Sequence, residues 1–409
     1  MRVLYKRCAG LDVHKDMVMA CARVRGRGNR VTYEVAEFPT TTAGLLALAE
    51  WLSEREVTHV AMEATGVYWK PVWHVLEDTF TLVLANAGHI KNVPGRKSDV
   101  NDATWISDLL AHGLISNSFV PPRPVQELRG LTRTRKQLSR QAAKHVLRIQ
   151  KTLEDANVKL SSVLSDTVGQ SGRRILKAII EGETDPTRLA ALASAQCKAS
   201  REEIATALTG KVTDHHRFLL SLHLGQVDAA ERAIEETDRR IEEVLDPFQE
   251  AEELLLTIPG VQKTSARAIL AEIGTDMSRF PTAAHLVSWA CLCPRSDTSA
   301  GKRRSTRLRQ GSPWIKTIMV QAGWAASHAK GTYTSAQFRR IASRRGTKKA
   351  VVAVAASILT AIYHMLKNHV PYHDLGPDFF DRRDTHKVAN RLVHRLEELG
   401  FKVELKAAA

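Results

Sequence analysis

The chain has no acidic side chain from Thr298 through Tyr372. The same stretch holds Lys302, Arg303, Arg304, Arg307, Arg309, Arg339, Arg340, Arg344, Arg345, Lys348 and Lys349. A solvated helix face ordinarily mixes signs, so an imbalance of this length excludes an ordinary neutral surface and predicts a polyanionic partner. Paired cysteines are also lacking. Cys8, Cys21, Cys197, Cys291 and Cys293 are five in number, and no second Cys/His pair at ligand spacing accompanies Cys291-Leu-Cys293. This argues against a zinc site and a disulfide framework, and for free thiols in a reducing cytoplasm. No uninterrupted apolar run reaches the ~18–20 residues that span a bilayer. The longest, AVVAVAASILTAIYHML at 350–366, is Ala-rich and bounded by basic and polar residues, which predicts a buried helix. The opening MRVLYKRCAGLDV lacks the apolar core and small-residue cleavage site of a secretory signal. A cytoplasmic location without a membrane partner is expected.

What is present begins with charge. Fifty-nine Lys and Arg face 44 Asp and Glu, a net charge of +15 over 409 residues. Phosphate neutralisation by such side chains supplies most non-specific nucleic-acid affinity, so DNA or RNA is the expected polyanion. The length allows two or three domains.

Residues 8–24 read as two strands divided near His14-Lys15-Asp16, and 31–39 alternates as a third. Residues 41–56 have helical spacing behind a Thr run suited to an N-cap. Short β-rich runs follow at 57–65 and 80–87, and a helix closes the unit near 115. The fold class expected is α/β plus α: a mixed-sheet domain over 1–122, a long helical, coiled-coil-like region over 123–250, and a mostly helical domain over 251–409. Pro121-Pro122-Arg123-Pro124 marks the first boundary. Leu128, Leu131, Leu138, Ala142, Val146, Ile149 and Leu153 form an apolar stripe among basic residues, and 227–246 forms a second charged helix able to pair with it antiparallel. The segment between them carries no legible chemistry. In 251–280 a helix, Pro259-Gly260-Val261 and a second helix look like a helix-hairpin-helix element, in which a tight Gly turn aims backbone amides at a phosphate.

Four carboxylates stand out. Asp12 sits in the first strand between Leu11 and Val13, and Glu63 near the end of VAMEAT, where an unpaired carboxylate would be costly. Asp99 and Asp102, three apart at a helix start, share a face. Singly each has an ordinary reading: Asp99 an N-cap with Asp102 favoured by the helix dipole, Glu63 a salt bridge, Asp12 a turn residue. Together they supply the hard oxygens from different elements that a two-metal phosphodiester site needs, with Mg2+ or Mn2+ as the implied ion. The segment CLCPRSDTSAGKRRSTRLRQGS, residues 291–312, offers Ser296, Ser299, Ser305 and Ser312 as candidate nucleophiles among guanidiniums that would stabilise charge on phosphorus. Spacing alone does not choose among them. Lys302, Arg303, Arg304, Arg307 and Arg309, with Gly260 in the turn, are the candidate nucleic-acid contacts.

GLDVHK (10–15), MEATGVYW (62–69), KSDVNDA (97–103), IPGV with AEIG (258–274) and LCP with SAGKRR (292–304) resemble, in order and spacing, the DEDD transposases of the insertion sequence 110 family, nearly end to end. AIYHML and PYHDLGPDFFDRRD also look like that family's C-terminal extension. The resemblance implies a RuvC-like domain of the RNase H fold carrying Asp12, Glu63, Asp99 and Asp102 as catalytic metal ligands. It also implies a C-terminal transposase domain whose essential serine is Ser299. It further implies a site-specific recombinase acting as a homo-oligomer, dimer or tetramer, on element-end and target DNA with a structured guide RNA. The rival expectations are a RuvC-type junction nuclease with water as nucleophile, and a nucleic-acid-binding protein without catalysis.

Overall fold

The computed structural model describes residues 3–26, 30–64, 66–85, 102–115, 117–294, 297–305, 307–309, 311–383 and 385–405, with the backbone alone at 297–299, 303 and 387. The chain divides into two compact units, Met1–Val120 and Pro121–Ala409.

The first unit is built on a five-stranded sheet ordered β3-β2-β1-β4-β5. Strands β1 (Arg7–Val13), β2 (Met17–Arg25) and β3 (Val31–Pro39) form an antiparallel meander, and β4 (His59–Glu63) and β5 (Thr81–Ala85) continue it in parallel from β1. The parallel connections need crossovers, which the helices supply. Helix α1 (Thr42–Glu54) is capped by Thr41, whose hydroxyl accepts from the Gly44 amide, so the Thr run does mark the helix start. Helix α2 (Trp69–Leu76) links β4 to β5. One sheet face packs Ala9, Leu11, Val60 and Met62 against Leu45, Leu48 and Leu52 of α1 and Val72 and Leu76 of α2. The other packs Cys8, Ala61 and Ala85 under Ile106, Leu109 and Leu110 of α3 (Asp102–Ala111). The period-2 alternation of the strands thus divides one apolar sequence between two cores.

The second unit is helical. Helix α4 (Arg123–Asp155), with 33 residues, is ~50 Å long. Short helices α5 (Leu160–Val163), α6 (Gln170–Glu181), α7 (Pro186–Ala191) and α8 (Arg201–Leu208) lead to the 30-residue α9 (Asp214–Glu243). Helix α9 runs antiparallel to α4: Arg135 holds Asp238 bidentately, His145 meets His223, and His216 pairs with Asp155. Helix α9 begins thirteen residues before the expected 227, at a capping box of Thr213 and His216. Its first half, DHHRFLLSLHLGQ, has few of the i,i+4 charge pairs that signalled the second half. The pair joins two cores. At one end Ile149, Leu153, Leu220, Leu224 and Val227 pack with the short helices, and at the other Val125, Leu128, Ile241 and Leu245 enter the C-terminal core.

That core gathers α10 (Gln249–Leu256), α11 (Lys263–Ile273), α12 (Ala283–Trp289), α13 (Pro313–His328), α14 (Tyr333–Arg345) and α15 (Thr347–Asn368). The apolar run at 350–366 is α15, and Val354, Ala355, Ile358, Leu359 and Ile362 are buried on it, as its composition implies. By length and apolarity alone α15 would span a bilayer, but its apolar face packs in one core with Leu286, Ile315 and Met319. Gly323 lets α13 approach α15 to 3.0 Å from its Cβ position at the Ala355 nitrogen and Val351 oxygen. A two-stranded hairpin, β6 (Asp297–Ser299) and β7 (Lys302–Ser305), lies between α12 and α13 in sequence, and α16 (Phe379–Arg382) and α17 (Thr385–Glu398) follow α15.

Candidate active site

Register brings two of the four carboxylates together. Leu11 of β1 pairs with Met62 of β4, and the next residues along these parallel strands are Asp12 and Glu63. They stand side by side at the C-terminal strand ends, on the face that also carries Cys8, Gly10 and Ala61. Helix α3 covers that face. A Cβ built on Gly10 would run into the Ala103 carbonyl oxygen and the Ser107 amide, so the helix backbone lies directly on β1. Asp102, the first residue of α3 and adjacent to Ala103, is thereby held at the same end of the sheet. Asp12 and Glu63 are half-buried and Asp102 is exposed. Asp99 lies outside the described residues.

A strand, its parallel neighbour and the covering helix each bring one carboxylate to this end of the sheet, and carboxylate oxygens are the ligand type that suits a divalent oxygen-loving ion. Among the described residues no three His, Cys, Asp or Glu side chains close into a coordination group. Asp12 meets His14, whose Nε2 is 3.0 Å from Oδ2. His14 is exposed and begins the β1–β2 turn, where its amide donates to the Met17 carbonyl.

The helix that carries Asp102 is anchored by a polar cluster that sequence reading missed. Arg23, 3% exposed, donates from Nε to Asp108 Oδ1 at 2.8 Å, and the Tyr33 hydroxyl donates to the same oxygen at 2.8 Å. Burial raises the Tyr33 hydroxyl pKa, and the adjacent Asp108 carboxylate adds to the rise. Beneath Ser107, the Cys8 thiol donates to its carbonyl at 3.5 Å while the Ser107 hydroxyl meets Cys21 Sγ at 3.8 Å. Burial pushes the Cys8 thiol up to about 12, despite the opposing Arg23 charge, which makes it a packing group rather than a nucleophile. The available signal was Arg23 on the inward alternation of an otherwise apolar strand, where a buried charge requires a partner.

In the second unit Ser299 is the last residue of β6. It pairs with Lys302 across a two-residue loop, Ala300-Gly301, whose φ values are 49° and 74°. Two successive left-handed residues make the primed turn whose twist matches a hairpin, and a Gly at the second suits it. Arg303 pairs with Thr298, so the basic strand runs alongside the serine strand. Lys302, Arg304, Arg307 and Arg309 are exposed, while Ser296 lies outside the described residues. Ser305 accepts the Arg307 amide at 3.2 Å, a local turn bond.

The Pro259-Gly260 turn joins α10 to α11, as expected, with Gly260 at φ 85°. A Cβ there would meet the Ala326 amide of α13. The glycine is therefore required for helix packing, a steric role distinct from the expected phosphate contact. It borders a cavity of about 540 Å³ whose wall includes Arg133, Lys136, Gln262 and Trp314. Arg133 lies over the Trp314 ring at 5.1 Å and Arg140 at 5.7 Å. Lys136 is pulled below the ordinary lysine pKa by burial, reinforced by Arg140.

Residues 9–158 match a family model of DEDD transposases of IS110, and residues 252–340 match the transposase model of the IS116/IS110/IS902 family. The first match covers the carboxylate-bearing unit and runs on through α4 of the second unit, and the other covers the part of the second unit that holds the serine hairpin. The chain belongs to the IS110 family of transposases. It is 28% identical over 149 residues to an uncharacterized 43.6 kDa protein of insertion element IS110 from Streptomyces coelicolor, a match covering 36% of each chain. It is 22% identical over 378 residues to the pilin gene-inverting proteins of Moraxella bovis and Moraxella lacunata, covering 89% of this chain and 96% of theirs. The chain thus matches little more than a third of the Streptomyces protein's length and nearly all of the Moraxella proteins. The IS110 family members are enzymes of DNA recombination, and the α/β plus α layout of this chain accords with the two matched regions.

Proposed function

We propose that this IS110-type transposase cleaves and rejoins DNA strands of an insertion sequence using the carboxylates of its first unit and Ser299 of its second. The observation that carries the reading is the adjacency of Asp12 and Glu63 at the ends of parallel strands, with Asp102 opening the helix that covers them. The mixed sheet, three antiparallel strands continued by two parallel ones, supports a RuvC-like domain of the RNase H type. Asp12, Glu63, Asp99 and Asp102 would hold Mg2+ or Mn2+, which when bound supplies charge neutralisation at the scissile phosphate. His14 holds Asp12 oriented in the free protein.

Ser299 is the nucleophile in this reading. Its oxygen forms a bond to phosphorus, the P–O bond to one deoxyribose breaks, and the departing oxygen takes up a proton. The phosphoserine ester keeps the energy of the original bond, so a strand hydroxyl can later displace the serine without another energy source. Lys302, Arg303, Arg304, Arg307 and Arg309, on or beside the same hairpin, would hold the strand backbone and offset charge developing on phosphorus. A structured guide RNA, homo-oligomeric assembly and a cytoplasmic location belong to the same reading, through the family resemblance.

The test is cleavage of element-end DNA with added Mg2+, with and without the element transcript. Asp12→Asn and Glu63→Gln are each expected to slow cleavage on the order of 100-fold or more. Full activity of either variant would refute the carboxylate assignment. A Ser299→Ala variant that still rejoins strands would favour the metal-only junction nuclease.

A further inference from the structure

The arginines of α14 have no role in either site. Arg339, Arg340 and Arg344 lie on one face of the helix with Ser335, at the i+4, i+5 and i+9 positions from it that share a stripe. They line one wall of a cavity of about 490 Å³. The other wall is the segment after α15, including Phe380 and Arg391. That segment is docked by definite contacts. Asp374 accepts the Tyr333 amide at 2.9 Å, and the Phe380 ring stacks on Tyr333 with centroids 5.2 Å apart at 22°. The Arg340 guanidinium lies over Phe380 at 5.3 Å, which presents it to the cavity instead of leaving it to sweep through solvent.

Four guanidiniums therefore converge, and among the described residues none of the four is paired with a carboxylate. Asp381 is the acid on the cavity wall. The helix dipole accounts for Arg344 in the last turn, but not for Arg339 and Arg340. Like charges one turn apart, such as Arg340 and Arg344, repel, so an anion between them would stabilise the arrangement. A second observation points the same way. Ser335, on the cavity wall and 2% exposed, has a buried hydroxyl that finds no hydrogen-bond partner among the described residues. A buried hydroxyl without a partner is costly, and an anion oxygen would accept from it.

We infer that this cavity clamps backbone phosphates of DNA, with Arg339, Arg340, Arg344 and Arg391 as the cationic contacts and the Ser335 hydroxyl as a donor. The inference rests on the proposed reading only in taking DNA as the partner. DNA is favoured over RNA because a gene-inverting protein is among the chain's relatives along nearly its whole length. The clamp is built from other elements of the second unit than the serine hairpin, and its role is to hold a strand in position.

The experiment measures affinity of the full chain for duplex DNA across a series of salt concentrations. Replacing Arg339, Arg340 and Arg344 together by Gln is expected to lower the slope of log affinity against log salt by about two to three, because each phosphate contact contributes ~0.9. Ser335→Ala is expected to weaken DNA binding several-fold with an unchanged or raised melting temperature, since the free protein loses no hydrogen bond. An unchanged slope in a folded triple variant would overturn the inference while leaving DNA binding by the wild type, and so the proposed function, intact. Wild-type protein that binds no DNA would overturn both. A slope lost for an RNA duplex but kept for DNA would overturn it in favour of RNA. Protection of the cavity by inorganic phosphate, with the DNA slope unchanged, would mark a free-anion site and also overturn it.

Discussion

Gly10 is the residue on which the geometry of the carboxylates turns. The conformation of β1 does not call for glycine. The reason for it is the backbone of α3, which lies where a side chain would be. Gly10→Ala forces the helix away from Asp12 or the strand out of register. Overpacking of this kind costs about 1–3 kcal/mol. The expected outcome is faster hydrogen exchange at the β1 and α3 amides together with weaker metal-dependent cleavage. Unchanged exchange would contradict so close an approach of α3 to β1. A second residue of this weight is Glu272, 2% exposed, which binds Arg133 bidentately at 2.7 and 2.8 Å. Arg129 caps the end of the same helix by donating to the Ala271 and Glu272 carbonyls, both at 2.8 Å. Glu272→Ala leaves Arg133 without its anion in a partly buried site, and a loss of about 3 kcal/mol is expected in urea denaturation of the full chain. A loss below about 1 kcal/mol would show that Arg133 regains its solvation.

At the scale of elements, the paired helices α4 and α9 carry a titratable contact. His145 Nδ1 and His223 Nδ1 are 3.3 Å apart, and Arg148 adds its charge nearby. Burial, then the His145 and Arg148 charges, hold His223 below the ordinary histidine value near 6.5. A depressed folded value means that the unfolded chain binds the proton first as pH falls. The stabilisation is therefore fully present above about pH 6.5 and is lost as pH drops through the folded value. Thermal melts are expected to show stability declining with acidity in that window, and His223→Gln should flatten the decline. An equal decline in the variant would place the titrating group elsewhere.

The same elements show what the sequence could tell. The strands of the first unit were legible because alternation and β-branched content agree over each run, and α1 because a Thr N-cap precedes helical spacing. The start of α9 was not, since its first half draws on tertiary burial of Leu220 and Leu224 rather than on local charge pairs. Asp12 and Glu63 were legible as charges set in apolar strands. Their adjacency was not, because it depends on a parallel register that joins residues fifty-one apart. The Arg23–Asp108–Tyr33 cluster was missed because it forms only when α3 docks on the antiparallel strands, joining residues 85 apart, and the steric role of Gly260 because a Pro-Gly turn looks alike whether it faces phosphate or a helix backbone.

At the scale of the molecule, the chain separates its charges. Carboxylates gather at one end of the sheet in the first unit, and the stretch from Thr298 through Tyr372 carries cations without a single acid. In the proposed function the first concentration holds the metal that a phosphodiester reaction uses, and the second holds the DNA and, in the hairpin, the nucleophile. Neither half alone distinguishes a recombinase from a nuclease. The distinction rests on whether a covalent bond forms between Ser299 and DNA. The direct measurement is to incubate the protein with element-end DNA, the element transcript and Mg2+, denature the mixture, and map any protein–DNA adduct by mass spectrometry. The expected result is an adduct at Ser299 that is absent in Ser299→Ala and strongly reduced in Asp12→Asn. Metal-dependent cleavage with no adduct, undiminished in Ser299→Ala, would contradict the account.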